Sequence, residues 1–496
     1  MSRALQALAW IAPGAAMKRA RAFSALDQKR AYDGARVGRR GDSFTAAATS
    51  ANVEIGPALA RLRDRSRDLA RNTWAGRRIL DVHVGHTIGT GINAVPATGS
   101  DRTDRQLGDA WLEWCDTSDV EGINNFAGQQ ALLYSSALEG GDAVMRRIPL
   151  RSGDRRRVKL ALQVLEGDLI DESRDLGTFD NQYSRLGVGL GTWDARTGLW
   201  LHSQHPGEYT FRGAPFNSTF VPVEDVIHLF RPLRAGQVRG VPVFAPILMP
   251  SRDLGDLVDA VIMKAKTEAC YTGFVTLEGE RTSPLSPSRD DARIEEMRPG
   301  MIAYLQEGEK ISFAQPTSSG QYEQVWLSTL FGMAAGAGIT YDQLTGDLRQ
   351  ANYSSLRAGK IEQRRLTEQT QYNVLVPQMM RRVTNWFVDA AILADVIKPR
   401  RDGWRFDYVM PAVEPIDPRK DLEADILAVR AGRMTPQTFI SAWGEDWRKV
   451  IKDTSAFLKI IDAENLVLDI DPRRTSQLGV AQADAANEKP AADAAN

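Results

Sequence analysis

Apolar side chains recur at helical spacing in some stretches of this chain and alternate with polar ones in others. They become sparse at both ends. The pattern predicts a helix starting at Pro57, a residue suited to a first turn. Leu59, Leu62, Leu69, Ile79 and Leu80 form its patchy apolar stripe among arginines. A second helix is predicted over Asp104–Cys115, with Leu107, Trp111 and Leu112 on one face. A third runs over Asn125–Glu139 and stops at Gly140-Gly141. Residues 142–230 change period. "DAVMRRIPL", "LALQVLEGDLI", "GEYTFRG" and "VEDVIHLFRPL" are short strand-like runs between Gly, Asp and Pro. Helices and strands together predict one α+β domain reaching to about Pro242.

The second half returns to long helical patterns. Leu254, Leu257, Val258, Val261, Ile262 and Ala265 follow the i, i+3, i+4, i+7 pattern, and Pro246 and Pro250 confine an unbroken helix to Ser251 onward. A compact insert comes next, Gly273 to about Thr317. Its strands are expected in "GFVTLEG" and "MIAYLQEGEKISFAQP", and a short helix over Asp290–Met297. Then come a helix over Tyr322–Gly338, a polar loop over Ile339–Tyr353, and a longer helix from Ser354 past Pro377. After Asp395 a strand-like, Pro-punctuated stretch precedes two helices, Lys420–Ala431 and Thr435–Trp443. Residues 1–50 are expected to be loosely ordered except for a helix near Leu5–Ile11. The Ala/Asp/Asn-rich tail from Asp471 is expected to be disordered.

Length and composition narrow the class. At 496 residues, 43% hydrophobic and 25% charged, the chain can bury several cores and reads as soluble and globular. No apolar run approaches the ~18 residues of a membrane helix. Two cysteines, Cys115 and Cys270, make no disulfide framework. Leu5–Pro13 only faintly imitates an export signal, because the basic cluster comes after the apolar part. Residues 1–80 hold 16 Lys/Arg against 6 Asp/Glu, a local +10, so the remainder carries −11 against a net −1. That start is either a solvated amphipathic helix or a basic arm for DNA or an acidic partner. The acidic remainder argues against tight DNA binding by the body.

Candidate chemistry is thin. His83-x-x-His86 and His202-x-x-His205 lack accompanying ligands at metal spacing and read as structural or exposed. The glycines at 187, 189 and 191 and at 85, 89 and 91 lack the strand–turn–helix context of a nucleotide loop. No Gly-x4-Gly-Lys-Ser/Thr occurs anywhere. Asp290-Asp291 and Glu295-Glu296 could hold a divalent metal for nuclease work. They alternate with Arg289, Arg293 and Arg298, the pattern of a solvated or docking helix face. A long helix pair around a small-residue loop, without nucleophile or phosphate cradle, points to a mechanical or scaffolding part. Arg357, Lys360 and Arg364 fall within about 60° around the second helix, with Glu368 on the same face. They are either an exposed mixed-charge face or a channel-facing stripe. In the loop, Tyr341–Gly346 is a hinge candidate, with Gly346 free to take positive φ.

The run "AGAGITYDQLTGDLRQANYSSLRAGKIEQRR" resembles the tunnel-loop region of lambda-type portal proteins of tailed phages. The resemblance extends to Val221–Leu248, Tyr32–Phe44, Arg61–Ile92 and Asp417–Trp447, in the family's order, and covers roughly residues 30–465. It implies a portal fold of class α+β. In that fold 1–50 is a basic N-terminal arm, 51–242 an α+β wing, and 243–272 and 319–339 the two stem helices. A small α/β clip takes 273–318, and the tunnel loop 340–353. The long tunnel helix and wing return occupy 354–418, a helical crown region 419–465, and a tail 466–496.

The resemblance further implies a non-enzymatic homo-oligomeric ring, of twelve subunits in the family, at one capsid vertex. No cofactor and no membrane is implied. The implied partners are the terminase large subunit, the major capsid protein, a head–tail adaptor and double-stranded DNA sliding through the axis without sequence-specific binding. The implied location is the virion, after assembly in the bacterial host cytoplasm. The tunnel-loop residues would be Thr340, Tyr341, Asp342, Gly346, Arg349, Gln350 and Asn352. The residues facing DNA would be Arg357, Lys360 and Arg364. The clip residues docking terminase or adaptor would be Arg289, Asp290, Asp291, Arg293, Glu295 and Glu296. The alternative from the residues themselves is a metal-dependent nuclease or other DNA-processing enzyme with a basic arm. A ring-forming scaffold without a DNA role is a third.

The missing phosphate loop predicts that the purified protein hydrolyses neither ATP nor DNA, with or without magnesium. Turnover that co-purifies with the oligomer and disappears in D290N/D291N would instead establish the nuclease.

Overall fold

The structure, a computed structural model, describes residues 48–175, 183–208, 217–270, 274–277, 309–312, 322–349 and 352–466, except 414 and 416, together with positions 14, 17, 18, 468, 471 and 473. The chain forms two compact units, Met1–Glu54 and Ile55–Asn496, and the second carries the sheets and the candidate sites. The expected helix near Leu5–Ile11, the run after Glu208, the helix over Asp290–Met297 and most of the tail lie outside the described residues.

Helix α1 (Ala51–Asn72) starts six residues before the predicted Pro57, which lies inside it. One stripe predicted to run through to Leu80 is in fact two helices. Thr73 leaves helical geometry, and its hydroxyl accepts the Gly76 N–H to cap α2 (Trp74–Thr87). The close turn requires Gly76, since a Cβ there would lie 2.3 Å from the Leu69 carbonyl oxygen. After β1 (Asn93–Pro96) come α3 (Asp101–Asp116) and α4 (Phe126–Gly140), the latter capped by the Asn125 side chain. Both match their predicted spans to within three residues.

Strands β2 (Asp142–Pro149), β3 (Leu160–Glu166), β4 (Tyr183–Arg185), β5 (Val188–Leu190), β6 (Arg196–His202), β7 (Ser218–Pro222) and β8 (Val226–Phe230) form two antiparallel sheets. One has the order β3-β2-β8 and the other is the meander β4-β5-β6-β7. The glycine run 187–191 is therefore mostly strand β5. Gly198 opposite it on β6 leaves room for the Phe220 ring, 2.5 Å from a Cβ placed there.

Helix α5 (Leu248–Cys270) leads into β9 (Phe274–Leu277), which pairs antiparallel with β10 (Glu309–Ser312). Then come α6 (Tyr322–Ala337), α7 (Tyr341–Thr345) and α8 (Tyr353–Thr370). From α8 the chain continues without a break into a π-helical segment, Gln371–Met380, and into α9 (Arg381–Leu393). Pro377 lies in the π segment, where its missing N–H leaves the Tyr372 carbonyl without the i→i+5 bond. The stretch after Asp395 yields one strand, β11 (Phe406–Val409), paired antiparallel with β1. Helices α10 (Pro418–Arg430) and α11 (Pro436–Ser441) match the predicted pair. A third, α12 (Trp447–Ala463), falls within the expected helical region 419–465 but was not singled out there.

The main core joins α3, α4, β2, β3, the π segment and α9. At its centre the rings of Trp111, Trp114, Phe126 and Phe387 meet tilted or edge to face at 5.1–5.6 Å between centroids. A second core packs α2, α6 and α7 around Phe244, Met333 and Leu344. A third fills the space between the two sheets with Val144, Val188, Leu199 and Val226.

Ionic groups are buried where these parts meet. Asp142, fully buried, accepts hydrogen bonds from Arg239 Nε at 2.5 Å and Nη2 at 3.1 Å and from His228 Nε2 at 3.1 Å. Arg239 also donates to the Gly167 and Leu186 carbonyls. Burial alone would raise the Asp142 carboxyl. The Arg239 charge and the His228 hydrogen bond outweigh it and hold the group well below the usual carboxylate range. Arg63 and Arg67 of α1 extend the network to Asp168, Glu166 and Glu172. These two arginines of the basic start are thus engaged internally, not offered to a polyanion.

Asp142→Asn removes the bidentate counter-charge of the buried Arg239, leaving Glu172 at 3.6 Å, and is expected to cost about 3–5 kcal/mol in denaturant unfolding at pH 7. A carboxyl depressed in the folded state contributes stability above its unfolded value, near ~3.9, that is lost as pH falls through the folded value. The gap between wild type and variant should therefore narrow only below about pH 4. A gap that closes already at pH 6 would show that Asp142 is not the ionised partner.

Candidate functional site

The segment between α6 and α8 is built as a fixed base with an exposed tip. Its base begins at a helix stop. Gly338 (φ 75°) comes directly after Ala337, its N–H donates to the Ala335 carbonyl, and the Ile339 N–H donates to the Ala334 carbonyl. Ile339, the residue after the glycine, is buried in the second core. One turn of helix, α7, then replaces the wholly irregular loop predicted over 340–353. The Thr340 N–H donates to Gln343 Oε1 at 3.1 Å, which starts the turn. Gly346 ends it at φ 69°, with its N–H on the Asp342 carbonyl at 2.7 Å. The proposed hinge glycine is thus in the left-handed region, but it closes a hydrogen-bonded turn. The described part of the tip is residues 347–349.

Contacts from α2, α6 and α8 hold α7 to its surroundings. Leu344 is buried in the second core. Tyr341 stacks on Phe331 of α6 with centroids 4.4 Å apart. Arg78 Nε, from α2, donates to the Gln343 carbonyl at 2.7 Å. Gln343 also bonds Gln363 of α8 through their amides. His83 Nε2 meets the Ala337 carbonyl at 2.8 Å, and burial lowers its pKa, so at neutral pH it is the neutral ring that donates. Beyond the tip, Asn352 caps α8: its side chain accepts the Ser355 N–H at 2.8 Å while Ser355 Oγ accepts the Asn352 N–H at 3.1 Å.

The tip's charge is largely self-neutralised. Asp347 accepts from Arg349 Nε at 2.9 Å, Nη2 at 2.8 Å and the backbone N–H at 3.1 Å. These bonds hold the Asp347 carboxyl far below its ordinary range. Arg349, read as a cation on a flexible tip, is a tethered half of an ion pair. Asp347 was missed by sequence reasoning, although its i, i+2 spacing from Arg349 allowed the pair. Gln350 lies outside the described residues, as do Arg289, Asp290, Asp291, Arg293, Glu295 and Glu296.

The helical stripe is also partly paired. Arg357 lies 3.6 Å from Asp421 of α10, and Arg364 Nε donates to Glu368 at 2.8 Å. Lys360 is exposed and has no ion pair among the described residues. Lys360 and Arg364 line a cleft of about 360 Å³ with Arg78 and His86 of α2. The anchors Arg78, His83 and Gln363 could not have been found from sequence, because each acts across a separation that only the fold closes.

One group of side chains suits a metal by type. Single ligating atoms of Glu166, Asp168 and His205 lie within 4.8 Å of one another. Arg67 already contacts both carboxylates, at 2.9 Å to Glu166, and Arg63 is 3.3 Å from Asp168. Burial opposes the Asp168 charge, yet the Arg67 hydrogen bond and the Arg63 charge hold its carboxyl low. Two guanidinium ions thus occupy the electrostatic place a metal would take.

The described residues form a mixed helix–sheet fold that carries a helix–loop–helix. The family of phage portal proteins of the lambda type matches residues 37–371, and the chain belongs to it. The family is structural, not enzymatic, and its members serve as the portal of the capsid within the virion. A probable portal protein of Halomonas phage phiHAP-1 is 24% identical over 385 residues, 73% of each chain. Portal protein B of Escherichia phage lambda is 21% identical over 504 residues, covering 86% of this chain and 89% of its own. Among solved structures, a chain from the neck of a native gene transfer agent particle is similar at 14% identity and TM-score 0.42. That similarity covers 77% of this chain and 93% of the other. Among the described residues no helix is long and apolar enough to cross a membrane.

Arg78→Met removes the bond from α2 to the α7 backbone. Because that contact is exposed, a loss of about 0.5–1.5 kcal/mol is expected. Amide hydrogen exchange across Tyr341–Arg349 should quicken by roughly three- to tenfold, with exchange in α6 unchanged. Unchanged exchange in α7 would show that Leu344 and Tyr341 suffice to hold it.

Proposed function

We infer that copies of this chain form a ring, of twelve subunits, whose axis carries double-stranded DNA into the capsid under a separate terminase and out again through the tail. Residues 51–242 act as the wing, α5 and α6 as the stem, and the segment between them as the clip that meets terminase and head–tail adaptor. The helices from 419 on act as the crown, and the wing faces the major capsid protein. The segment 340–353 lines the channel as a tunnel loop, and Arg357, Lys360 and Arg364 are the cations of α8 nearest to passing phosphates.

The observation that carries this reading is the division of the segment into a base held by contacts to α2, α6 and α8 and a tip whose described residues, 347–349, pair their charges with one another. A part that meets moving DNA has to yield locally while its flanking helices stay docked. The pairing of Arg349 with Asp347, and of Arg364 with Glu368, suits sliding: phosphates meet few free cations and are not retained.

Gly346→Val tests the assignment. Nothing lies within 4 Å of a Cβ at this position, so its effect comes from the backbone at φ 69°. The strain is about 1–3 kcal/mol, too little to undock α6 and α8. Rings are expected to form, seen by negative-stain imaging, while the yield of DNA-filled particles falls. A normal yield of filled particles would remove the tunnel-loop assignment.

A further inference from the structure

A second cavity lies away from the loop, where the two sheets of the β-rich block meet the π segment. It has a volume of about 300 Å³ and is lined by Arg196, Leu199, His228, Phe230, Gln378 and Arg382, among others. Two arginines line it, one on β6 and one on α9. Among the described residues no carboxylate lines it.

Each arginine is held by uncharged acceptors. Arg196 Nη2 donates to the Val238 carbonyl at 2.9 Å, and Nη1 meets His228 Nδ1 at 2.9 Å. Arg382 Nη1 donates to the Val223 carbonyl and, at 3.1 Å, to that of Val226. Neither makes an ion pair among the described residues. The carboxylate whose field reaches Arg196 is Asp142, which Arg239 already engages bidentately. His228 adds no charge. Its Nδ1 accepts from Arg196, its Nε2 donates to Asp142, and burial keeps the ring neutral, with a pKa pushed down to about 4. Arg196 lies over the Phe230 ring, 4.7 Å from its centroid, which fixes the guanidinium plane. Arg196 Nε and Arg382 Nε and Nη2 make no hydrogen bond among the described residues, so three cationic donors remain.

We propose that this cavity is a binding site for one small oxyanion per subunit, of the phosphate class, held between Arg196 of β6 and Arg382 of α9. Two fixed guanidinium groups with spare N–H donors match the geometry of a tetrahedral oxyanion. The volume admits a phosphate ion but not a stretch of duplex. The bound anion would join the sheet to the helix that begins directly after the π segment, and so brace the point where the long helix changes register. This proposal does not depend on the channel assignment.

The test is equilibrium dialysis of the wild-type oligomer against inorganic phosphate, with chloride holding ionic strength constant. One phosphate per subunit is expected, competed by sulfate and not by acetate at equal concentration. Arg382→Gln should weaken binding by at least about tenfold. Arg196→Lys, which keeps the charge but loses the fork, should weaken it severalfold. Competition by acetate as strong as by sulfate would indicate a carboxylate ligand and overturn the phosphate assignment. Wild type that takes up no more phosphate than bovine serum albumin under the same salt would overturn the site itself, whether or not the variants fold. Undiminished binding in both variants would place any bound phosphate elsewhere and also overturn it.

Discussion

The buried pair of Asp142 and Arg239 is the constraint on which the arrangement of this subunit rests. Asp142 opens β2, the strand shared by α4, β3 and β8, and Arg239 lies on the passage from β8 toward α5. Two bonds between them bring the end of the β-rich block against its beginning. The approach is so close that a Cβ at Gly240 would sit 1.8 Å from the Gly141 carbonyl oxygen. Charges buried this deeply are tolerated only when every lone pair and proton is matched. Here His228, Gly240, the Gly167 carbonyl and the Leu186 carbonyl complete the matching. The pair therefore sets the direction in which the chain leaves the sheets and enters α5.

That fixed exit governs the placement of α6 and the loop. Phe244 and Ile247, just after the passage, enter the same core as Leu330, Met333 and Ala337 of α6 and Ile79 of α2. Gly336 allows the contact, because Ile247 Cγ2 would lie 2.6 Å from a Cβ there. The loop base is anchored in this core through Ile339 and Leu344, and the loop tip is released beyond it. The base of the segment is thus mounted on a packed core whose placement is set some distance away. The π segment plays the matching role on the other side. It joins an exposed helix, α8, to a buried one, α9, and Gln378 ties it to both the N–H and carbonyl of Phe230 on β8.

Apolar spacing along the chain was enough to locate α3, α4, α5, α6 and α8 and the strands β2, β3 and β8, whether the apolar face is deeply buried, as in α3, or largely exposed, as in α8. The residues also carried the family resemblance and the absence of a phosphate loop. Folding settled the rest. The four-stranded meander was not legible, because β4 and β5 are three residues each and are stabilised by neighbours, not by an alternating pattern of their own. Helix α12 lies in the stretch expected to be helical, 419–465, but was not singled out there, although its apolar residues are strongly one-sided. The turn α7 was hidden in a polar stretch whose single buried residue is Leu344. Above all, charge could not be read locally. Arg63, Arg67 and Arg357 looked available for DNA, and each has a carboxylate partner that folding brings to it from far along the chain. An ion pair forms wherever two stretches of the chain meet in space, and the spacing of residues along one of them does not say where that is.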